Sequence, residues 1–126
     1  MLRRDALAQV GLLDQAYFMY TEEIDLCYRL AQAGWERWWV PAAQVVHYGQ
    51  ASSSQVAEAM YLQLYRSKMQ FFRKFGGGRR ANWYRFLLWL AFVPRMVLSS
   101  AGAPLSPSLS SCARIYRRLL ADLPQM

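Results

Sequence analysis

The stretch Phe18-Met-Tyr-Thr-Glu-Glu-Ile-Asp-Leu-Cys-Tyr-Arg-Leu30 decides how the first part of this 126-residue chain folds. Thr21 is a residue type favoured at helix N-caps, and Gly34 is typical of the position just after a helix ends. The sequence therefore predicts a helix that follows Thr21 and runs to Ala33. An apolar repeat at i, i+3, i+4 and i+7 predicts the face that is buried against a sheet. That face comprises Ile24, Cys27, Tyr28 and Ala31.

Three carboxylates lie at the predicted start of this helix. Glu22 and Glu23 would be stabilised in the first turn by the exposed N–H groups and the helix dipole. Asp25 can pair with Arg29 at the i, i+4 spacing. The alternative interpretation is functional: one carboxylate removes a proton from an incoming hydroxyl group. The residues alone leave both interpretations open.

Shorter elements are predicted around this helix, and long helices follow. A short helix over Asp5–Val10 should end at Gly11, and two short strands are predicted at Trp35–Val40 and Gln44–Tyr48. His47, the only histidine, is either a hydrogen-bonded core residue or a metal ligand that needs further oxygen ligands. Further helices are predicted over 55–75, ending at Gly76-Gly-Gly78, and over Asn82–Val93 and 111–123.

Composition predicts one small domain or part of a larger one, and the 55% hydrophobic content argues against disorder. Residues 1–50 carry a net charge of −2 and residues 51–126 a net charge of +9. The basic part could therefore meet phosphates of lipid headgroups or of nucleic acid. Cys27 and Cys112 have no CxxC partner, which indicates buried free thiols instead of zinc or a disulfide framework. The N-terminus has no apolar segment typical of a secretory signal.

The basic part contains an apolar run from Phe86 to Pro94 that is too short to span a bilayer. Tryptophans and arginines around it suit a helix that lies in the headgroup region of an anionic membrane surface. Simple packing of these helices on the rest of the protein explains the same pattern. Nucleic-acid binding is disfavoured, because no RNA- or DNA-binding motif accompanies the arginines.

Several segments together resemble a known family. They are Val10-Gly-Leu-Leu-Asp14, Phe18–Leu30, Ala33-Gly-Trp35, Val40-Pro41 and Val46-His-Tyr-Gly49. In this order and spacing they resemble the C-terminal half of the catalytic domain of family-2 glycosyltransferases, within which the rhamnosyltransferase-like enzymes are most similar. Residues 55–100 resemble more loosely the helices that follow that domain. The resemblance implies a boundary between a catalytic segment, 1–54, and a basic, aromatic helical extension, 55–126.

This resemblance implies a partial GT-A fold: an α/β, Rossmann-like domain that is helix-rich, with a few short strands and two or three C-terminal helices. It implies a nucleotide-sugar donor, a glycan or lipid-linked acceptor, and a divalent cation, Mg²⁺ or Mn²⁺. Glu23 then matches the catalytic base beside Glu22, Asp25 orients the helix start or the acceptor, and His47 helps to hold the metal–diphosphate. The anomeric configuration would invert. The implied location is cytoplasmic, at the inner face of the cell membrane.

One departure from the family pattern changes the expectation. The 126-residue sequence contains no Asp-x-Asp motif, and we expect that it lacks the family's nucleotide-binding segment. We therefore expect a fragment of an inverting glycosyltransferase that is inactive alone. The alternative is a non-catalytic, helical module that binds a membrane surface or a partner protein.

Overall fold

The computed structural model describes residues 1–46 and 57–126, and within these ranges it contains helices and no strand. In chain order, the helices of the described residues are α1 (Arg4–Val10), α2 (Glu22–Gln32), α3 (Ala57–Gly102) and α4 (Pro107–Asp122). The chain forms two compact units, Met1–Ser67 (unit 1) and Lys68–Met126 (unit 2). The predicted domain boundary at 54/55 lies outside the described residues and stays a prediction.

Helices α1 and α2 form the core of unit 1. Ala6 of α1 packs with Leu26 and Leu30 of α2. The partly buried side chains that surround this cluster are Leu7, Val10 and Trp35. Left-handed glycines follow both helices, with φ of 82° at Gly11 and 83° at Gly34. Both predicted helices and their glycine ends are thereby confirmed.

The buried face of α2 differs from the prediction. Ile24 is 47% exposed and Cys27 is exposed, whereas Leu26 and Leu30 are each only 5% exposed. The helix has two apolar faces, and α1 covers the one that carries the leucines. The apolar repeat that begins at Ile24 therefore predicted the helix correctly, but its prediction of the buried face was wrong. Both cysteines are free, as predicted, but neither is buried: Cys27 is exposed and Cys112 is half-buried.

The predicted strand at Trp35–Val40 is wrong, because the structure shows irregular backbone there. The described part of the second predicted strand, residues 44–46, is also irregular, and the rest of it lies outside the described residues. A strand persists only when its N–H and C=O groups pair with a neighbour. No described segment supplies that neighbour, so Trp38 and Trp39 stay more than 80% exposed. The helix-rich character is confirmed, while the described residues contain no Rossmann-like sheet.

Helix α3 bends sharply inside unit 2 at Gly77, where φ is 66° and ψ is −178°. The rings of Phe72 and Tyr84 lie 4.5 Å apart. Twelve residues of straight helix would separate these positions by about 18 Å along the axis. The predicted interruption at Gly76-Gly-Gly78 is therefore confirmed.

Beyond this bend the helix continues through Pro94 to Gly102, and the predicted end at Val93 is wrong. A proline inside a helix removes one hydrogen bond and costs about 3 kcal/mol or more. Tertiary packing opposes this cost, because Phe92 is buried with its ring 5.5 Å from that of Tyr116 in α4. No helix among the described residues carries an apolar run long enough to cross a membrane.

The backbone at Gly77 leads to a first prediction. Replacement Gly77→Ala should lower the free energy of unfolding by about 1–3 kcal/mol, since this region of φ/ψ space is accessible essentially to glycine alone. Gly78→Ala is the matched control, because a Cβ there would meet no atom within 4 Å. It should be neutral or slightly stabilising. Urea unfolding of the full chain, followed by circular dichroism, measures both; equal effects would contradict the assignment.

Candidate functional site

Asp25 is the only one of the three predicted carboxylates that is fully buried, with 0% of its surface exposed. The Arg29 Nε–H group donates to its Oδ1 at 2.6 Å, and the Tyr17 hydroxyl donates to its Oδ2 at 3.2 Å. The predicted i, i+4 ion pair is present. Asp25 therefore holds the start of α2 in place and is not free to meet a substrate.

Arg29 connects this ion pair to the preceding part of the chain. Its Nη1 donates to the carbonyl oxygen of Val10, at the end of α1, and its Nη2 donates to that of Leu12 at 2.6 Å. Hydrogen bonds from a charged donor are roughly twice as strong as neutral ones. One guanidinium therefore joins α2, α1 and the loop between them.

Tyr17 lies in that loop, and its surroundings keep its hydroxyl group protonated, so that it can donate a hydrogen bond. Burial raises the pKa of Tyr17 well above its usual value, and the charge of Asp25 and the hydrogen bond to it act in the same direction. The phenol therefore keeps its proton at neutral pH and continues to donate to the carboxylate.

The backbone just before α2 is strained. Tyr20 and Thr21 both adopt left-handed φ values, 67° and 75°. Such values are rare for residues other than glycine, and they concentrate at ligand-binding sites. Thr21 occupies the predicted N-cap position, but its side chain makes no capping hydrogen bond. A capping side chain normally requires extended backbone at that residue, which the positive φ excludes.

Hydrogen bonds on both sides hold this strained pair. The Ser67 hydroxyl, from the first part of α3, donates to the carbonyl oxygen of Met19 at 2.6 Å. The Asp25 N–H group donates to the carbonyl oxygen of Thr21 at 2.8 Å. Ser67 is itself fully buried and accepts a hydrogen bond from Gln63 at 3.0 Å. The segment before Glu22 is thus fixed from both ends.

The two glutamates differ in their surroundings. Glu23 is exposed, whereas Glu22 is half-buried. The Glu22 Oε2 atom and the Thr21 Oγ1 atom are buried, and no donor among the described residues reaches either of them. An unpaired buried acceptor costs about 1–3 kcal/mol, and in a native structure it calls for an explanation such as a bound group. The start of α2 therefore offers one accessible carboxylate beside two acceptors that lack donors.

The predicted metal site is not assembled by the described residues. His47 lies outside them, and no group of three or more His, Cys, Asp or Glu side chains among them could hold a metal ion. A groove of about 400 Å³ in unit 1 lies elsewhere, and its lining includes Arg3, Cys27 and Trp38 but none of the three carboxylates. The divalent cation and the role of His47 stay predictions.

Sequence reasoning missed the residues that support the carboxylates. Tyr17 and Ser67 are 8 and 42 positions away from Asp25, so no helical spacing links them to it. The positive φ values at Tyr20 and Thr21 could not be predicted from the residue types, because neither tyrosine nor threonine favours positive φ.

Comparison with known proteins supports the predicted resemblance. The N-acetylglucosaminyl-diphospho-decaprenol L-rhamnosyltransferase of Mycobacterium tuberculosis is 38% identical over 85 residues, which are 68% of this chain and 26% of that enzyme. The rhamnosyltransferase WbbL of Escherichia coli K12 is 46% identical over 48 residues, which are 38% of this chain and 18% of that protein. No protein-family model matches the chain, and no solved structure matches it significantly.

These matches confirm the predicted resemblance to rhamnosyltransferase-like enzymes. The chain is a homologue of rhamnosyltransferase-like glycosyltransferases. It spans about a quarter of the length of the mycobacterial relative, with 26% of that enzyme aligned.

The Asp25–Arg29 pair gives a second prediction. Arg29→Gln should destabilise the chain by about 3–5 kcal/mol, because it leaves the buried Asp25 charge without its partner. Asp25→Asn in the same chain should recover part of this loss. Arg37→Gln, at an exposed arginine of unit 1, is the control and should change stability by less than about 0.5 kcal/mol. A urea-based double-mutant cycle measures the coupling; additive effects would contradict it.

Tyr17 gives a third prediction. Since its folded-state pKa lies above the unfolded value of about 10, the stability that it contributes is present below pH 10 and is lost as the pH rises further. Tyr17→Phe should flatten the decline in unfolding free energy between about pH 10 and 11.5. Urea unfolding across this range provides the measurement, and an unchanged slope would refute the assignment.

Proposed function

We propose that this chain is part of an inverting glycosyltransferase of the GT-A type, which transfers a sugar from a nucleotide-sugar donor to a glycan or lipid-linked acceptor. The observation that carries the proposal is the start of α2. There, a chain homologous to rhamnosyltransferases presents the exposed Glu23 on backbone fixed by partly buried hydrogen bonds.

In this proposal Glu23 is the catalytic base. As an acceptor hydroxyl oxygen attacks the anomeric carbon, its proton passes to the Glu23 carboxylate. The bond from the anomeric carbon to the nucleoside diphosphate breaks, and the diphosphate departs with the electron pair on the side opposite to the attack. The configuration at the anomeric carbon therefore inverts.

The neighbouring residues have different roles in the proposal. Glu22, which is half-buried beside Glu23, is suited to contact the acceptor only through its accessible part, since its Oε2 atom and the Thr21 Oγ1 atom are buried. Asp25 acts as a positioning residue, because its ion pair with Arg29 holds the helix start against α1 and the preceding loop. A base must be held in a fixed geometry to be effective, and this network supplies that rigidity.

The acceptor class in this proposal is inferred from a relative, and the requirement for donor binding is inferred from the sequence. The mycobacterial relative is named for action on a lipid-linked acceptor, N-acetylglucosaminyl-diphospho-decaprenol, and we propose an acceptor of the same class here. Because the sequence contains no Asp-x-Asp motif, donor binding in this proposal requires residues that it does not supply, and the chain is inactive alone. Since the described residues do not form a metal site, no step here is assigned to a cation.

A chimera tests the proposal and gives a fourth prediction. The whole chain replaces the segment of the mycobacterial relative that aligns with it, and sugar transfer to that enzyme's own lipid-linked acceptor is measured. Glu23→Gln should lower kcat by a factor of about 10² or more with little change in donor binding. Glu22→Gln should act mainly on the KM for the acceptor. The control Glu36→Gln, at an exposed glutamate outside the helix start, should leave both constants unchanged.

Two outcomes would contradict this assignment. A chimera that folds, binds donor and acceptor, and yet transfers no sugar would show that the helix start lacks a catalytic role. An active chimera that keeps its kcat after Glu23→Gln would show that another group is the base.

A further inference from the structure

Unit 2 carries a surface that the proposed sugar transfer does not use. After Gly77, seven exposed side chains lie on one face of α3, at spacings of i, i+3, i+4, i+7, i+11, i+14 and i+15. We call this face the apolar stripe; it comprises Trp83, Phe86, Leu87, Leu90, Pro94, Val97 and Leu98. At 3.6 residues per turn, they fall within about one third of the helix circumference and extend over about 22 Å.

The opposite face of the same helix is already occupied. Its buried positions are Ala81, Leu88, Phe92 and Ser99. Phe92 contacts the ring of Tyr116 in α4, and Arg85 Nε donates to the carbonyl oxygen of Leu123 at 2.9 Å. Helix α4 therefore covers one apolar face of α3, and the stripe is a second face with no partner in unit 2.

The exposure of the stripe is large for a water-facing helix. Leu90 is 63% exposed and Leu98 is 73% exposed. Trp83 and Phe86 stack on each other with ring centroids 5.5 Å apart. Beside them runs a shallow groove of about 360 Å³ that is lined by apolar side chains, those of Phe86, Trp89, Leu90, Val93 and Pro94. Contiguous apolar surface of this kind marks an interaction site.

Charge identifies the class of partner. Residues 68–126 contain ten Lys and Arg residues and one acidic residue, Asp122. Arg79 and Arg80 are exposed in the first turn after the bend, at one end of the stripe, and Arg95 is exposed beside it. The surface is thus apolar, aromatic and strongly cationic. It complements a partner that is apolar inside and anionic at its boundary, which describes a bilayer rich in acidic phospholipid.

We propose that the apolar stripe docks unit 2 on an anionic lipid surface. The helix lies parallel to the bilayer, with Trp83, Phe86 and Leu90 at the boundary between headgroups and acyl chains. Arg79, Arg80 and the other exposed cations contact the lipid phosphates. This inference goes beyond sugar transfer and does not depend on Glu23, so it holds equally for a non-catalytic protein.

Vesicle sedimentation with the full chain tests the proposal. Vesicles of phosphatidylcholine with about 30% phosphatidylglycerol are compared with pure phosphatidylcholine, at low and high NaCl. Binding to the anionic vesicles should be at least about tenfold tighter, and it should weaken at least about tenfold at high salt, since exposed charges are then screened. Equal affinity for the two lipids at low salt, or no binding to either, would overturn the proposal.

Variants separate the two contributions. The double replacement Phe86→Ser and Leu90→Ser should weaken binding to both vesicle types. Arg79→Gln with Arg80→Gln should reduce the preference for anionic lipid and the salt dependence. Arg85 is left unchanged, because it bonds the carbonyl oxygen of Leu123 and its loss would perturb unit 2. Circular dichroism confirms that each variant keeps its helix content.

Matched controls come from unit 1. Val45→Ser with Val46→Ser removes two exposed apolar side chains outside the stripe, and Arg37→Gln removes an exposed cation there. Neither should alter vesicle binding, and loss of binding in both would show a nonspecific effect and refute the stripe. Analytical ultracentrifugation tests whether a second copy of the chain covers the stripe instead. If the chain forms a dimer, binds no lipid, and loses the dimer on Phe86→Ser with Leu90→Ser, the stripe serves self-association and the lipid proposal is refuted.

Discussion

The Arg29 guanidinium is the contact on which unit 1 depends. It neutralises the fully buried Asp25 and donates to the carbonyl oxygens of Val10 and Leu12. The apolar core shared by α1 and α2 is small: Ala6, Leu26 and Leu30 are buried in it, and three partly buried side chains surround them. Polar bonds therefore carry a large share of the connection. This makes the unit sensitive to any change that leaves the buried carboxylate unpaired.

The same network explains how a strained backbone persists before α2. Left-handed φ values at Tyr20 and Thr21 are unfavourable, and they are maintained where surrounding contacts over-determine the conformation. Ser67 holds the chain on one side and Asp25 on the other. The result is a fixed helix start whose buried oxygen atoms have no donors among the described residues, beside an exposed carboxylate. A base that is accessible and held in a fixed geometry is what hydroxyl activation requires.

In unit 2 the limiting feature is that the same helix, α3, carries two apolar faces and only one of them is packed within the unit. Gly77 bends α3, and beyond this bend Phe92 and Arg85 direct one face of the helix to α4 and to Leu123, the residue that follows α4. The other face, the apolar stripe, packs against nothing else in unit 2 and is exposed to solvent. Because almost all charged groups there are cationic, electrostatics distinguishes between candidate partners where apolar area alone would not.

Local features were determined by the sequence itself: helices α1 and α2, their glycine ends, the Asp25–Arg29 pair and the break at Gly77. Each depends on residues within about one helical turn, where propensity and spacing act directly. Tertiary structure decided which face of α2 is buried, since α1 covers Leu26 and not Ile24. It also decided that residues 35–46 are not a strand, because strand formation needs a neighbour that no local pattern can supply. The passage of the helix through Pro94 has the same origin, since distant packing outweighed a local helix breaker.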